Sequence, residues 1–401
     1  MTAYSRGKLT KMSMQTQPHA KRVLIVTSSV GSGHNAVADA VSRRLTDAAP
    51  GVVVTVVDAL VFVPKAVAAI YAGVFALGMS KFPGIYGLCF RASNRPHRPS
   101  RGKSERLRLC MERKCMRRFE AYILANRPDL IVCTHFLAPP VITRLARSKA
   151  LGLRQIVVIT DIEAHRFWYS EHVMQWFVPT DHTAEQLSQW GIPPQRVTVS
   201  GIPVHDKWRA PLAAEKILHE WRLPADRDIV LLSGGTDFTC GPVAKIARLI
   251  AGNGTGAYVI VLAGRNKKLL AKLARLPGAG RDILPLGFTD RVHELAEVAS
   301  LAVTKAGGIF TAECLAKGKP MIFLKPVPGH ESGNAKYLES KGAGIIARNT
   351  SEVVRTAHKL LADKGKLDLM SKAANQLHRS GAEKVVSAVL KALGQDHRQK
   401  P

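Results

Sequence analysis

Residues 31–36 read Gly-Ser-Gly-His-Asn-Ala between two apolar runs, VLIV at 23–26 and VVVTVVD at 52–58. The spacing fits G-x-G-x-x-G/A, a turn in which small residues let the backbone bend from strand into helix and let a ligand reach exposed N–H groups. Asp58 ends the next run about where the ribose-binding acid of a dinucleotide site would stand. His34 offers a different chemistry. It begins a helix whose apolar positions are Val37, Ala40, Val41 and Leu45, and an imidazole at that edge of a sheet can take a proton from a substrate hydroxyl. The plainer role for it is a capping or space-filling histidine.

A second constellation is Lys305-Ala306-Gly307-Gly308-Ile309-Phe310-Thr311-Ala312-Glu313. Two glycines at a helix start leave N–H groups unpaired, which suits a diphosphate, and a carboxylate about one turn further in can bind both hydroxyls of a ribose. After the apolar run PMIFLKP comes Pro328-Gly329-His330-Glu331-Ser332-Gly333-Asn334, a polar loop suited to reading sugar hydroxyls. Two patterns are set aside. Asp226-Arg227-Asp228 has the form of a metal-holding D-x-D but lies in a linker before a strand, and neither His293-Glu294 nor His330-Glu331 has the second histidine of a zinc helix. No metal site is expected.

Such turns need rigid strands to hold them. Short β-branched runs alternate with helix-length segments through both halves: VLIVTS, VVVTVVD, LIVCTH, QIVVIT and VTVSG, then IVLLSGG, AYVIVLAG, ILPLGF, LAVTKAGG and PMIFLKP. Continuous apolar strands imply parallel sheets covered by helices on both faces. The 401 residues exceed what one core usually sustains, so two doubly wound α/β domains are expected. The expected division is a basic tail at 1–21, a first domain at 22–205, a linker at 206–227, a second domain at 228–374 and a terminal segment at 375–401. Each domain opens with a strand and a glycine turn, Gly31-Ser32-Gly33 in one and Gly234-Gly235 in the other.

Lys and Arg number 58 against 30 Asp and Glu, a net +28 with an isoelectric point near 10.2. An anionic partner is expected: lipid, nucleic acid or nucleotide phosphate. Ala66 to Ser80 is uncharged over 15 residues; as a helix it spans about 22 Å against a ~30 Å hydrocarbon core, too short to cross a bilayer. It is either a buried helix or a segment that dips into a membrane interface or lines an apolar acceptor pocket. Residues 91–118 follow with 11 Lys/Arg against two Glu, a local net of +9. This is a wedge beside a basic collar, suited to an anionic bilayer, with a solvated helix face as the plain alternative. No helix-turn-helix, RNP or zinc pattern supports a nucleic-acid site. The six cysteines form no C-x-x-C pair, and the first 22 residues lack the apolar stretch of a signal peptide. Reduced thiols and a cytoplasmic location are therefore expected.

Further ordered motifs run through residues 22–350: G-x-G-H at Gly31 to His34, CTHF at Cys133 to Phe136, TDIEAHRFW at Thr160 to Trp168, VPT at Val178 to Thr180 and GIPV at Gly201 to Val204. The second half adds LLSGG at Leu231 to Gly235, AGRNKKL at Ala263 to Leu269, GF at Gly287-Phe288, TKAGGIFTAECLAKGKP at Thr304 to Pro320, and PGHESGN at Pro328 to Asn334. In these the chain resembles the monogalactosyldiacylglycerol synthase and processive diacylglycerol glucosyltransferase family, itself related to the N-acetylglucosaminyltransferase that makes lipid II.

The resemblance implies a GT-B fold: two Rossmann-like doubly wound domains facing across a cleft, the acceptor in the first and the UDP-sugar largely in the second. It implies an inverting transfer with no metal and no cofactor beyond the UDP-sugar co-substrate, and a terminal helix that returns to the first domain. His34 becomes the catalytic base or its close partner, with Gly31, Gly33 and His165 on the acceptor side. On the donor side it implies Gly234 and Gly235 at the second glycine turn, Arg265 near the nucleotide, and Phe288 and Thr289 at the uracil. Gly307 and Gly308 fall to the diphosphate, Glu313 to the ribose, and His330, Glu331 and Asn334 to the sugar.

The expected activity is transfer of a hexose from a UDP-sugar to a lipid acceptor, with diacylglycerol foremost. The expected place is peripheral, on the inner face of the cell membrane, with the anionic membrane surface as a partner and no specific nucleic acid. A soluble or other lipid acceptor, a UDP-sugar epimerase, a dehydrogenase and a non-enzymatic nucleic-acid binder are the alternatives. Two departures matter. Plant-type members carry Asp where this chain has Ser29, which bears on the proton-acceptor network, and Gln in P-G-Q-E where it has His330, which bears on galactose versus glucose.

Overall fold

The computed structural model describes residues 20–29, 32–80, 82–94, 114–148, 152–234, 241–252 and 256–394. The first half runs β1 (Arg22–Thr27), α1 (Ser32–Ala48), β2 (Val53–Asp58), α2 (Lys65–Ser80), α3 (Pro83–Ser93), α4 (Arg117–Asn126), β3 (Leu130–Cys133), α5 (Pro139–Ser148), β4 (Gln155–Val158), β5 (Gln175–Val178), α6 (Asp181–Gln189) and β6 (Val197–Val199). Its strands are parallel in the order β2-β1-β3-β4-β5-β6. The central strands β3 and β4 are buried from end to end, as unbroken apolar runs require when helices cover both faces.

A short helix α7 (Ala214–Trp221) leads into the second half: β7 (Ile229–Ser233), α8 (Val243–Gly252), β8 (Tyr258–Gly264), α9 (Lys267–Ala274), β9 (Ile283–Gly287), α10 (Val292–Val298), β10 (Leu301–Thr304), α11 (Gly308–Ala316), β11 (Met321–Leu324), α12 (His330–Ser340), β12 (Gly344–Ala347), α13 (Thr350–Ala362), α14 (Lys364–Leu377) and α15 (Gly381–Gly394). This sheet is also parallel, in the order β12-β11-β10-β7-β8-β9. The architecture is two Rossmann-like α/β domains.

Each sheet reverses its strand order once, between β1 and β3 in the first and between β7 and β10 in the second. In open parallel sheets ligands bind outside the carboxyl ends of the strands that flank such a reversal. The chain leaves β1 toward Gly33-His34, β3 into Thr134-His135, β7 at Gly234 and β10 into Lys305–Gly308. Topology therefore delivers both glycine-rich helix starts to one cleft.

The end of the chain joins the halves. α14 keeps Leu367 and Met370 in the core of the second sheet. The chain then crosses at 378–380, and α15 packs Val385, Val386 and Val389 in one cluster with Val37, Val41 and Leu45 of α1. The returning helix thus starts at Gly381, a few residues beyond the boundary at 375 that the sequence suggested.

Helices α2 and α3 form a hairpin whose surface is apolar: Val67, Ile70, Leu77, Phe82, Ile85 and Leu88 are exposed, the last two at 62% each. No described helix is long and apolar enough to cross a membrane. Most of the basic run, residues 95–113, lies outside the described residues. Cys89, Cys115, Cys133 and Cys314 are free thiols, while Cys110 and Cys240 lie outside the described residues.

Candidate active site

His34 occupies the first turn of α1. Its Nδ1 lies 2.9 Å from the Thr134 carbonyl oxygen and 3.1 Å from Thr160 Oγ1. A carbonyl only accepts, so Nδ1 carries the proton and the lone pair sits on Nε2. The Thr134 hydroxyl donates to the His34 carbonyl at 3.2 Å, which ties the helix start to the end of β3. Burial lowers the His34 pKa below the ordinary imidazole value; the Asp161 carboxylate and the Thr134 carbonyl pull upward, and His330 adds to the lowering. The ring is neutral at pH 7. His135 meets it edge-on at 4.5 Å; burial and His34 hold the His135 pKa well below its ordinary value, and its Nδ1 accepts the Leu137 N–H at 3.2 Å. A neutral imidazole with an oriented lone pair is equipped as a general base.

Asp58, the acid a dinucleotide site would use, accepts the N–H groups of Leu60 at 2.9 Å and Ser29 at 3.3 Å. It braces two loops. Gly33 packs across the cleft, where a Cβ would come 2.7 Å from Ile309 Cγ1. Gly31 lies outside the described residues.

The two walls of the cleft touch at α11. Gly307 caps this helix without a side-chain acceptor, so its first N–H groups present the positive end of the dipole. At Gly308 a Cβ would sit 2.0 Å from the Thr160 carbonyl oxygen, and only glycine permits that approach. Asn334, expected at the sugar, is fully buried. Its Oδ1 accepts the N–H groups of Ile162 and Glu163 at 2.9 and 3.1 Å, and its Nδ2 donates to the Ala306 carbonyl at 2.9 Å and Asp161 Oδ1 at 3.2 Å. Both donors and both lone pairs of the amide are spent on protein, so Asn334 here clamps one domain to the other. Glu331 is likewise buried, paired with Lys305 Nζ at 3.0 Å and accepting the Val327 N–H at 3.3 Å.

Burial pushes the Glu313 carboxyl up to about 8, against the opposing Lys207 ammonium and a hydrogen bond from Trp208. It holds its proton at neutral pH. At the ends of β8 and β9, the Arg265 guanidinium lies 4.8 Å above the ring of Phe288, which is 68% exposed, and Thr289 Oγ1 accepts the Arg291 N–H at 3.1 Å. Gly234 is buried behind β7, and Gly235 lies outside the described residues.

His165 is buried between Phe90 and Phe167, with ring centroids at 4.6 and 4.2 Å. Its Nδ1 accepts the Phe167 N–H at 3.1 Å and its Nε2 lies 3.0 Å from Ser93 Oγ, so it anchors α3 to the 164–168 loop. His330 Nδ1 lies 3.1 Å from the Tyr86 hydroxyl. Sequence reasoning did not single out Thr134, His135, Thr160, Asp161 or Tyr86. The first four lie within the CTHF and TDIEAHRFW motifs just past β3 and β4, so their place at strand ends was the available signal; Tyr86 had none.

Residues 34–204 match the family model described as monogalactosyldiacylglycerol (MGDG) synthase, and residues 231–388 match that of the glycosyltransferase family 28 C-terminal domain. A processive diacylglycerol beta-glucosyltransferase of Bacillus licheniformis is 30% identical over 271 residues, 67% of this chain and 70% of the relative. Among solved structures, a Staphylococcus aureus MnaA–UDP co-structure superposes with a TM-score of 0.60 at 16% identity, covering 95% of this chain and 99% of that one. Acinetobacter baumannii MurG gives 0.57 at 17% identity, covering 92% and 99%. These two likenesses support the fold, a GT-B pair of domains across a cleft.

Proposed function

The chain belongs to the monogalactosyldiacylglycerol synthase family of glycosyltransferases, and from that premise we propose that it moves a hexose from a UDP-sugar to a diacylglycerol-type lipid at a membrane surface, with inversion at the anomeric carbon. The observation that carries the reading is His34: a neutral imidazole, Nδ1 pinned by a main-chain carbonyl, at the cleft face opposite the start of α11.

In this mechanism the acceptor hydroxyl gives its proton to His34 Nε2 as its oxygen bonds to the anomeric carbon. The bond from that carbon to the UDP oxygen breaks on the opposite face, and its electron pair leaves with UDP. The Asp161 carboxylate favours the imidazolium that forms. The start of α11 and the Arg265 guanidinium meet the charge on the departing diphosphate, electrostatic work that needs no metal in this reading. Closure by Gly308 and Asn334 keeps water from the donor. The exposed residues of the α2–α3 hairpin enter the lipid, at about 25 cal/mol per Å² of apolar surface covered, and the net charge of +28 suits the anionic leaflet on the inner face.

The test offers UDP-glucose, UDP-galactose and UDP-N-acetylglucosamine separately to the protein on vesicles of diacylglycerol and anionic lipid. Products are read by mass spectrometry and the anomeric configuration by NMR, with and without EDTA. A β-linked glycolipid from one α-linked donor, unaffected by EDTA and lost in His34→Ala, is the expected result. UDP release without a glycolipid rejects diacylglycerol as acceptor, and interconversion of nucleotide sugars without acceptor marks an epimerase.

A further inference from the structure

We infer that Tyr86, on the helix whose other face is exposed and apolar, is a positioning residue for the donor-sugar loop, which it holds through His330. The inference rests on reading Pro328–Asn334 as the loop that meets the sugar.

Three observations converge on it. The Tyr86 hydroxyl lies 3.1 Å from His330 Nδ1, with the two rings edge-on at 6.2 Å. A hydrogen bond between the phenol and one ring nitrogen restrains the rotation of the imidazole, whichever partner donates. Next, each glycine backbone packs against side chains of the other segment: a Cβ on Gly87 would lie 2.3 Å from Pro328 Cβ, and one on Gly329, whose φ is +116°, would lie 3.2 Å from both the Tyr86 and Phe90 rings. The helix and the loop therefore cannot shift independently. Finally, α3 divides its faces cleanly. Phe82, Ile85 and Leu88 point outward at a spacing of three, while Tyr86, Gly87 and Phe90 face the loop and Ser93 reaches His165.

Part of the donor site is thus shaped by the acceptor domain. Glu331 is the next residue along, buried and paired with Lys305 beside Gly307. The phenol holds His330, the residue that opens α12, and so sets how well the loop fits the hexose, while the Arg265–Phe288 pair assigned to the nucleotide lies on other elements.

The experiment is calorimetric titration of UDP and of the UDP-hexose used in transfer into the full chain, for wild type, Tyr86→Phe, His330→Ala and the double variant. Tyr86→Phe keeps the ring and loses one hydrogen bond, so UDP-hexose affinity and the donor KM worsen about three- to tenfold, while UDP affinity, lipid KM and vesicle partition stay at wild-type values. In the His330→Ala background the same change has no further effect. Equal UDP-hexose affinity in wild type and Tyr86→Phe overturns the inference, as does the same fold-loss in both backgrounds. An equal loss for UDP, or a lowered Tm at an unchanged ratio of the two affinities, marks a merely structural role and also overturns it. If wild type itself gains no affinity from the hexose over UDP, the reading of the loop falls first and this inference with it.

Discussion

Two strand-to-helix turns face each other in the cleft, after β1 and after β10. Both are glycine-rich, both follow a buried parallel strand beside the reversal of its sheet, and both start a helix directed away from the cleft. The first puts a histidine in its opening turn; the second opens α11 at Gly308 with no side-chain cap, the Gly307 N–H being taken by the Lys305 carbonyl at 2.9 Å, and holds its carboxyl back to Glu313. Burial acts on both titratable groups by disfavouring the charged form, which lowers the pKa of the imidazole and raises that of the carboxyl. In the mechanism proposed here one backbone device thus serves as a proton-accepting station on one wall and an anion-holding station on the other, and the side chain placed in the turn decides which.

Deleting that difference has the largest expected effect. His34→Ala lowers kcat by about 10² to 10⁴ while UDP-hexose affinity, read by calorimetry, stays within a factor of about two. Affinity lost in step with turnover would place His34 in the donor site and erase the contrast. Because burial lowers its pKa, the acid limb of the wild-type kcat/KM profile lies below the ordinary imidazole value of about 6.5: the base is lost as pH falls through that lowered value.

Gly308→Ala attacks the opposite turn. The new methyl group meets the Thr160 carbonyl oxygen, so the walls must separate, and turnover falls about 100-fold with donor affinity impaired as well. A variant with wild-type turnover would mean that this contact is not needed for transfer. Outside the cleft, among the described residues, the exposed apolar hairpin belongs to the His34 domain. Replacing Ile85 and Leu88 by serine is expected to cut partition onto vesicles about tenfold or more with no change in UDP affinity; unchanged sedimentation with vesicles would remove the hairpin from membrane docking.

The effect at Glu313 is one of pH. Its carboxyl keeps a proton up to about pH 8, and a carboxylate is the form that accepts two ribose hydroxyls. Below about 8, donor binding must expel that proton, so affinity rises with pH by at most about tenfold per unit and levels off above. Calorimetry in buffers of different ionisation enthalpy reads the released proton, and Glu313→Gln abolishes the release. A wild-type affinity flat across pH 6 to 8 would leave the ribose to another group.

Much of the scaffold was legible because it is local. Apolar runs such as VLIV and LIVC are long enough to need burial on both faces, and each glycine turn announces a strand passing into a helix. His34 stood out for the same reason, as a titratable residue in a turn that otherwise carries small or polar ones. The groups around it did not, since Thr134 and Thr160 reach its ring from 100 and 126 residues away. Asn334 looked like a sugar ligand because its loop is polar; in the fold its amide is consumed by the 161–163 segment opposite. Asp58 looked like a ribose acid and is spent on loop N–H groups.

The sequence by itself therefore determined two parallel-sheet domains, the two turns that face the cleft and the histidine proposed here as the base, all consequences of residue types at neighbouring positions. The tautomer of His34, the suppressed charges of His34 and Glu313, the conversion of Asn334 into a clamp and the bond from Tyr86 to His330 were decided only by tertiary structure. Desolvation and hydrogen-bond partners belong to the space around a side chain, and the crossovers of a parallel sheet fill that space with residues from far along the chain.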